Sequence, residues 1–291
     1  MKYICAQPEN LYYRWQLDTM INSFLQNGVQ ESDIIILSNT ESEEFNVLKE
    51  KYPSVNFHRY YSPVHKYQPA IKPYLMYLYF KDHPEDEQYF YCDCDIILTK
   101  PLPEFERGVF MSDTVSYIGY EYIKSKGQDV VDIICETIGL PESILIENQS
   151  NSGGCQFVFN TMPADLWRQA FKYSYYIYTN LSEYNQQNGH LYENTYPIQV
   201  WTAEMWGTLY AMWYYGYYGT VDSRLDFAWS TDSSSRLDET SILHNAGVSD
   251  QPNLFKKSIY INELPPCDLI IDSTKCSNYY YSKVKEVICN D

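Results

Sequence analysis

A chain of 291 residues, 45% of them hydrophobic and 20% charged, is long enough to bury one large core and too apolar to be intrinsically disordered. Its formal charge of -17 argues against a nucleic-acid backbone or an anionic bilayer as main partner, since both require a positive field. The 31 tyrosines stand where average usage gives roughly ten. They reflect either compositional drift or wet surfaces that bind flat, hydroxylated ligands.

The first half alternates strand-like and helix-like runs. Lys2 to Ala6 reads as a strand, followed by a helix with Leu17, Met20, Ile21, Phe24 and Leu25 on one face and a stop at Asn27-Gly28. A strand at Ile34 to Leu37 precedes a helix that Thr40 and Glu43 open as a capping box, and Val55 to Tyr61 reads as the third strand. Pro73 suits the first position of the next helix, with Lys72 at its cap, an Ile71–Met76 staple, and Tyr74, Leu75 and Leu78 buried. Tyr89 to Cys92 is continuously apolar, as a central strand is, and ends in Asp93-Cys94-Asp95 before Ile96-Ile97-Leu98. In the second half, helices are expected at Asp129 to Ile138, Ala164 to Tyr178 and Ala203 to Trp213, with strands at Cys155 to Asn160 and Ile242-Leu243. The rhythm predicts an α/β, doubly wound, mostly parallel sheet flanked by helices in a single domain, where ligands bind beyond the carboxyl ends of strands.

No stretch reads as a signal peptide or a membrane span, so a cytoplasmic location is expected. Eight cysteines lack paired metal spacing, which makes buried free thiols the default. Two sequon matches, at Asn148 and Asn180, are within chance.

Asp93 and Asp95 carry the sharpest chemistry. Carboxylates at i and i+2 in extended chain share one side, with Cα atoms roughly 7 Å apart. Burying them at a strand end is costly unless a cation or hydrogen bonds compensate. His244 reads as a third ligand, which would favour Mn²⁺ over Mg²⁺, or as an ordinary loop histidine; His58, His65, His83 and His190 keep the ordinary reading. Gly153-Gly154 with Gln156 reads as a loop that lets a hydroxylated ligand approach, or as a plain turn. Glu204, a lone acid in an aromatic helix start, could hold a raised pKa, position a sugar hydroxyl, or favour the helix dipole. Asp113 is a weaker case of the same kind.

Together these pieces resemble the metal-dependent GT-A-type glycosyltransferases, nearest to glycogenin-like and peptidyl galactosyltransferase-like enzymes. The resemblance rests on Tyr3 to Gln7, Trp15 to Leu17, Ile71 to Pro73, Phe90 to Ile96, Gly153 to Phe157 and His244 to Gly247, in that order. It implies a glycosyltransferase domain over residues 1–254, with a nucleotide-binding half to about 110 and an acceptor half from about 111. Residues 255–291 would form an extension packed on it. By resemblance, Asp93, Asp95 and His244 ligate Mn²⁺ or Mg²⁺, and Asp93 also contacts the donor ribose. Ala6, Gln7 and Pro8 line the nucleotide pocket of a UDP-sugar, and Lys72, Gly154 and Gln156 lie near its phosphates or sugar. Glu204, or else Asp113, is the catalytic acidic residue. The family's HxxGxxKPW-type ending is matched only at its start: Lys256-Lys257 arrive later and no Trp follows. The expected activity is metal-dependent hexosyl transfer to a hydroxylated glycan or protein acceptor, with a lean toward retention. A sugar-phosphate nucleotidyltransferase would carry a Gly-rich basic loop after its first strand, which Gln7-Pro8-Glu9-Asn10 is not. A non-catalytic carbohydrate-binding module is the remaining alternative.

Overall fold

The computed structural model describes residues 1–39, 42–62, 66–189 and 197–289. In chain order it contains β1 (Lys2–Gln7), α1 (Leu11–Gln26), β2 (Ile34–Ser38), α2 (Asn46–Lys51), β3 (Asn56–Arg59), α3 (Ile71–Asp82), β4 (Gln88–Tyr91), β5 (Ile96–Leu98) and β6 (Val109–Ser112). There follow α4 (Val115–Ile118), α5 (Tyr120–Lys124), α6 (Gln128–Ile138), α7 (Glu142–Glu147), β7 (Gly154–Asn160), α8 (Ala164–Asn188), α9 (Ala203–Tyr214), β8 (Thr220–Val221), β9 (Phe227–Trp229), β10 (Ile242–His244) and α10 (Cys276–Ile288). Seven strands form a mostly parallel sheet in the order β3-β2-β1-β4-β7-β6-β8, and β5-β10-β9 form a second, small sheet. The α/β, helix-flanked architecture is the one the sequence rhythm predicts. No helix among the described residues is long and apolar enough to cross a membrane.

Two compact units divide the chain: residues 1–60, 90–106 and 223–291, and residues 61–89 and 107–222. In the first, β1, β2 and β3 pair in parallel register, Ala6 opposite Leu37 and Leu37 opposite His58. α1 buries Leu17, Met20, Ile21 and Phe24 and lies along β5, with the Phe24 ring 5.4 Å from that of Tyr3 in β1. Its other side meets α10, where Trp15 joins Phe255, Tyr280 and Tyr281 in one buried cluster. In the second unit α8 lies against α3 and α9, and Phe80, Tyr89, Phe159 and Trp167 make an aromatic core with Phe80 stacked on Trp167 at 5.8 Å.

Several local expectations change. The helix after β2 opens at Asn46 behind Phe45, five residues past the proposed cap Thr40; Thr40 lies outside the described residues, as do His65 and His190. α3 opens at Ile71 behind Ala70, because a 3-10 turn at Gln68–Ala70 with Pro69 leads directly into it. Pro73 is therefore its third residue, and Lys72 stands in the first turn rather than at the cap. Its buried face is Ile71, Leu75, Met76, Tyr79 and Phe80, with Tyr74 and Leu78 half-buried. α8 runs ten residues beyond the expected end at Tyr178, because Ile177 and Leu181 continue its buried stripe. Not every thiol is free: Cys267 and Cys289 form a disulfide across 22 residues with Cα atoms 6.0 Å apart, while the other six cysteines are unbonded.

Candidate active site

In the first unit the acidic pair is delivered by a turn between β4 and β5. Within this turn the buried Cys94 thiol faces Gln16 of α1, while the carboxylates of Asp93 and Asp95 come close to each other. Burial, with Cys5 and Asp95 nearby, pushes the Cys94 thiol well up, so it stays protonated and adds no thiolate ligand. Pairing then brings in the histidine. β10 runs antiparallel to β5 with His244 opposite Ile96, and parallel to β9 with His244 opposite Trp229. His244 Nε2 thereby reaches 3.3 Å from Asp95 Oδ1, and its ring lies parallel to that of Trp229 at 6.0 Å. One ligand atom from each of Asp93, Asp95 and His244 falls within 4.8 Å of the others, a spacing one divalent cation can bridge.

The backbone fixes this group. The Asn245 amide donates to the Asp95 carbonyl at 2.9 Å, and Ser230 Oγ donates to Asn245 Oδ1. Behind them Tyr280 is fully buried, its hydroxyl pushed well up by burial with Asp95 and Cys94 adding. Lys257, at the start of a 3-10 turn, pairs with Asp95 Oδ2. Burial alone would raise the Asp95 carboxyl, but the Lys257 ammonium and the His244 imidazole outweigh it and hold the group far below the usual carboxylate range. Lys257, 13 positions after His244, thus folds back onto the same carboxylate.

The end of β1 is held as firmly. Ala6 and Gln7 are buried and Pro8 half-buried. Glu9, with no side-chain exposure, accepts from Arg59 Nε at 2.8 Å and Nη2 at 2.6 Å, from the Phe45 amide at 3.0 Å and from Ser38 Oγ at 3.4 Å. Asn10 caps α1 through the Tyr13 amide at 3.1 Å. Sequence reasoning does not single out Glu9 or Arg59 as parts of this region, and takes Lys257 only as a lysine arriving too late for the motif. Only the polarity of Glu9 at a strand end hinted at the first.

In the second unit Lys72 Nζ meets Glu204 Oε2 at 3.2 Å, both side chains largely buried. Thr208 Oγ1 approaches the other carboxylate oxygen at 3.4 Å, and the Glu204 amide donates to the Tyr67 hydroxyl at 2.9 Å. Gln156 is fully buried: Ser112 Oγ donates to its Oε1, and its Nε2 makes no hydrogen bond among the described residues. Gly153 and Gly154 are buried too. A Cβ on Gly153 would fall 2.4 Å from Met111 Cβ and 2.8 Å from the Ser112 carbonyl, so the glycine permits the β6–β7 approach where the register shifts. Cys155, next in line, has φ +66, in the left-handed region. Asp113 is exposed and accepts from the Val115 amide at 3.0 Å, opening α4.

Neither a protein-family profile nor a curated protein sequence matches the chain. Solved structures do. The apo structure of WbbM, a bifunctional glycosyltransferase, superposes with a TM-score of 0.52 at 12% identity, over 99% of this chain and 50% of that one. An active-site mutant of the glycosyltransferase LgtC superposes with a TM-score of 0.53 at 11% identity, over 99% of this chain and 96% of that one. The fold is that of GT-A glycosyltransferases. The chain thus spans half the length of WbbM and nearly all of LgtC.

Proposed function

We propose that the protein is a glycosyltransferase that moves a hexose from a UDP-sugar to a hydroxyl acceptor, using a divalent cation held by Asp93, Asp95 and His244. The observation that carries this reading is the convergence of those three side chains at the end of a buried strand of a GT-A fold. Their donor set, two carboxylates and an imidazole, fits Mn²⁺ better than Mg²⁺. When bound, the cation would neutralise charge that develops on the departing diphosphate.

The chain's own groups supply the rest. Lys257 adds a fixed positive charge beside Asp95, which a protein of net charge -17 needs in order to hold a diphosphate. Asp93 is also assigned to the donor ribose, and the segment Ala6, Gln7 and Pro8, braced by Glu9 and Arg59, to the nucleoside. Gly154, Gln156 and Lys72 are assigned to the donor sugar and phosphates, Gln156 because its buried amide nitrogen has hydrogen-bonding capacity to offer. Glu204, already engaged by Lys72 and Thr208, suits an orienting and charge-stabilising role better than that of a free base. That favours retention, in which the departing phosphate helps deprotonate the acceptor. Asp113 is the base that an inverting reaction would need instead.

Calorimetry with UDP, with and without Mn²⁺, tests the reading. Metal-dependent UDP binding that Asp95→Asn and His244→Ala each abolish is the expected result. Binding indifferent to metal, or unchanged in both variants, overturns it. A product whose anomeric configuration is opposite to the donor's would sink retention.

A further inference from the structure

We propose that Trp201 is the platform on which the acceptor's sugar ring docks, so that the acceptor is a saccharide bound through a pyranose face. This deepens the glycosyltransferase reading and rests on it. Trp201 is 59% exposed, whereas four of the other tryptophans, Trp15, Trp167, Trp206 and Trp213, are almost completely buried. An exposed indole on a surface is unremarkable when mobile; this one is fixed. Its carbonyl accepts from the Tyr67 hydroxyl at 2.7 Å, its Nε1 donates to Gln199 Oε1 at 3.1 Å, and its ring lies 6.3 Å from that of Tyr117 at 25°. Tyr67 is buried and stacks on Tyr178 at 4.3 Å. Burial, with Glu204 adding, pushes its hydroxyl up, so it remains a neutral donor.

The result is a flat apolar face held open to solvent, with hydrogen-bonding groups at its edge. That combination matches the C–H face and equatorial hydroxyls of a hexopyranose, which has an apolar plane and a polar rim. A rigid platform loses little conformational entropy on binding. Its placement is chemical as well as geometric. The same Tyr67 hydroxyl that holds the Trp201 carbonyl accepts the Glu204 amide, so platform and acid share one anchor. The Tyr117 hydroxyl lies 3.3 Å from the thiol of Cys155, the residue between Gly154 and Gln156 in the chain. The aromatic pair is therefore tied to Glu204 through Tyr67, and to the Gly154–Gln156 segment through Cys155.

The test uses the full chain with Trp201→Ala and Trp201→Phe. Lactose, maltose, cellobiose, N-acetyllactosamine and methyl β-xyloside serve as probes, read by saturation-transfer NMR and tryptophan emission. At least one probe is expected to bind the wild type with a blue shift in emission. Trp201→Ala should weaken that binding by at least about tenfold, and Trp201→Phe should recover most of it. Mn²⁺–UDP affinity and the hydrolysis of UDP-hexose by water should stay unchanged in both variants, a separation that a merely structural residue would not give. If no probe binds the wild type, or if Trp201→Ala binds as the wild type does, the platform is wrong. If hydrolysis and UDP binding fall together with sugar binding, Trp201 is a structural residue and the proposal is again overturned. Failure of the wild type to bind UDP with metal would instead overturn the transferase reading itself.

Discussion

At Asp95 two large effects oppose each other. Enclosure raises the carboxyl, and the Lys257 and His244 side chains lower it by more, so the folded protein keeps a buried carboxylate ionised. A group depressed in the folded state contributes stability that is fully present above its unfolded value, about 3.9, and is lost as pH falls through the folded one. Lys257→Met removes the largest lowering influence. The variant should be less stable than the wild type at pH 7, with the gap closing as pH falls below about 4. Urea unfolding at pH 7, 5 and 3 measures this, and a gap constant with pH contradicts it. Glu9 is a second enclosed carboxylate held by a cation. Its carboxylate has no side-chain exposure and takes a two-pronged bond from Arg59, whose own side chain is 36% exposed. Arg59→Ala leaves that carboxylate enclosed and without its cation, at a cost of about 3 kcal/mol, toward the lower end for buried pairs because Arg59 is partly solvated. Chemical denaturation reads it directly; a loss under about 1 kcal/mol would mean that water replaces the guanidinium.

Among the elements, contact between α8 and α9 is set by one glycine. A Cβ at Gly207 would fall 2.2 Å from Ser174 Oγ, 2.5 Å from the Ser174 amide and 2.8 Å from the Ala170 carbonyl. Helix propensity alone favours alanine there by about 1 kcal/mol. The obstacle includes backbone atoms, which cannot rotate away, so packing wins. Gly207→Ala should destabilise by about 1–3 kcal/mol, and a thermal midpoint equal to or above the wild type would refute the close approach. The sign could not be read from the sequence, where Gly207 is simply a glycine in a helix. What was legible there is local: β4 from its unbroken apolar run, the acidic turn behind it, β10 ending at His244, and α6 stopping at Gly139 with φ +67. Lys257 was not legible, because its seat depends on the loop after β10 folding back to Asp95 rather than on any periodicity. The start of α3 was misplaced for a comparable reason. Two prolines, Pro69 and Pro73, both fit a helix entrance, and only the 3-10 turn at Gln68–Ala70 decides between them.

For the molecule as a whole, the C-terminal segment matters most. Residues 255–289 belong to the same unit as β1 and β10. Phe255 donates its amide to Ser277 Oγ at 2.7 Å, and Phe255 and Tyr281 lie with ring centres 5.2 Å apart. Lys257 therefore hangs from a segment whose far end is tied by the Cys267–Cys289 disulfide. Closing a loop of this length stabilises the folded chain by about 3 kcal/mol, chiefly by restricting the unfolded one. Such a bond persists in oxidising surroundings and is rare where thiols are kept reduced, in tension with the cytoplasmic expectation drawn from the amino-terminal residues. Two measurements address the point together. Alkylation in denaturant without reductant should modify six of the eight cysteines, and all eight after reduction. Reduction should also lower the unfolding free energy by about 3 kcal/mol in the wild type and leave Cys267→Ser/Cys289→Ser unaffected. Eight modified thiols in protein taken from its native compartment would mean that the segment holds Lys257 in place through packing against α1 alone, and that stability there does not draw on the bond.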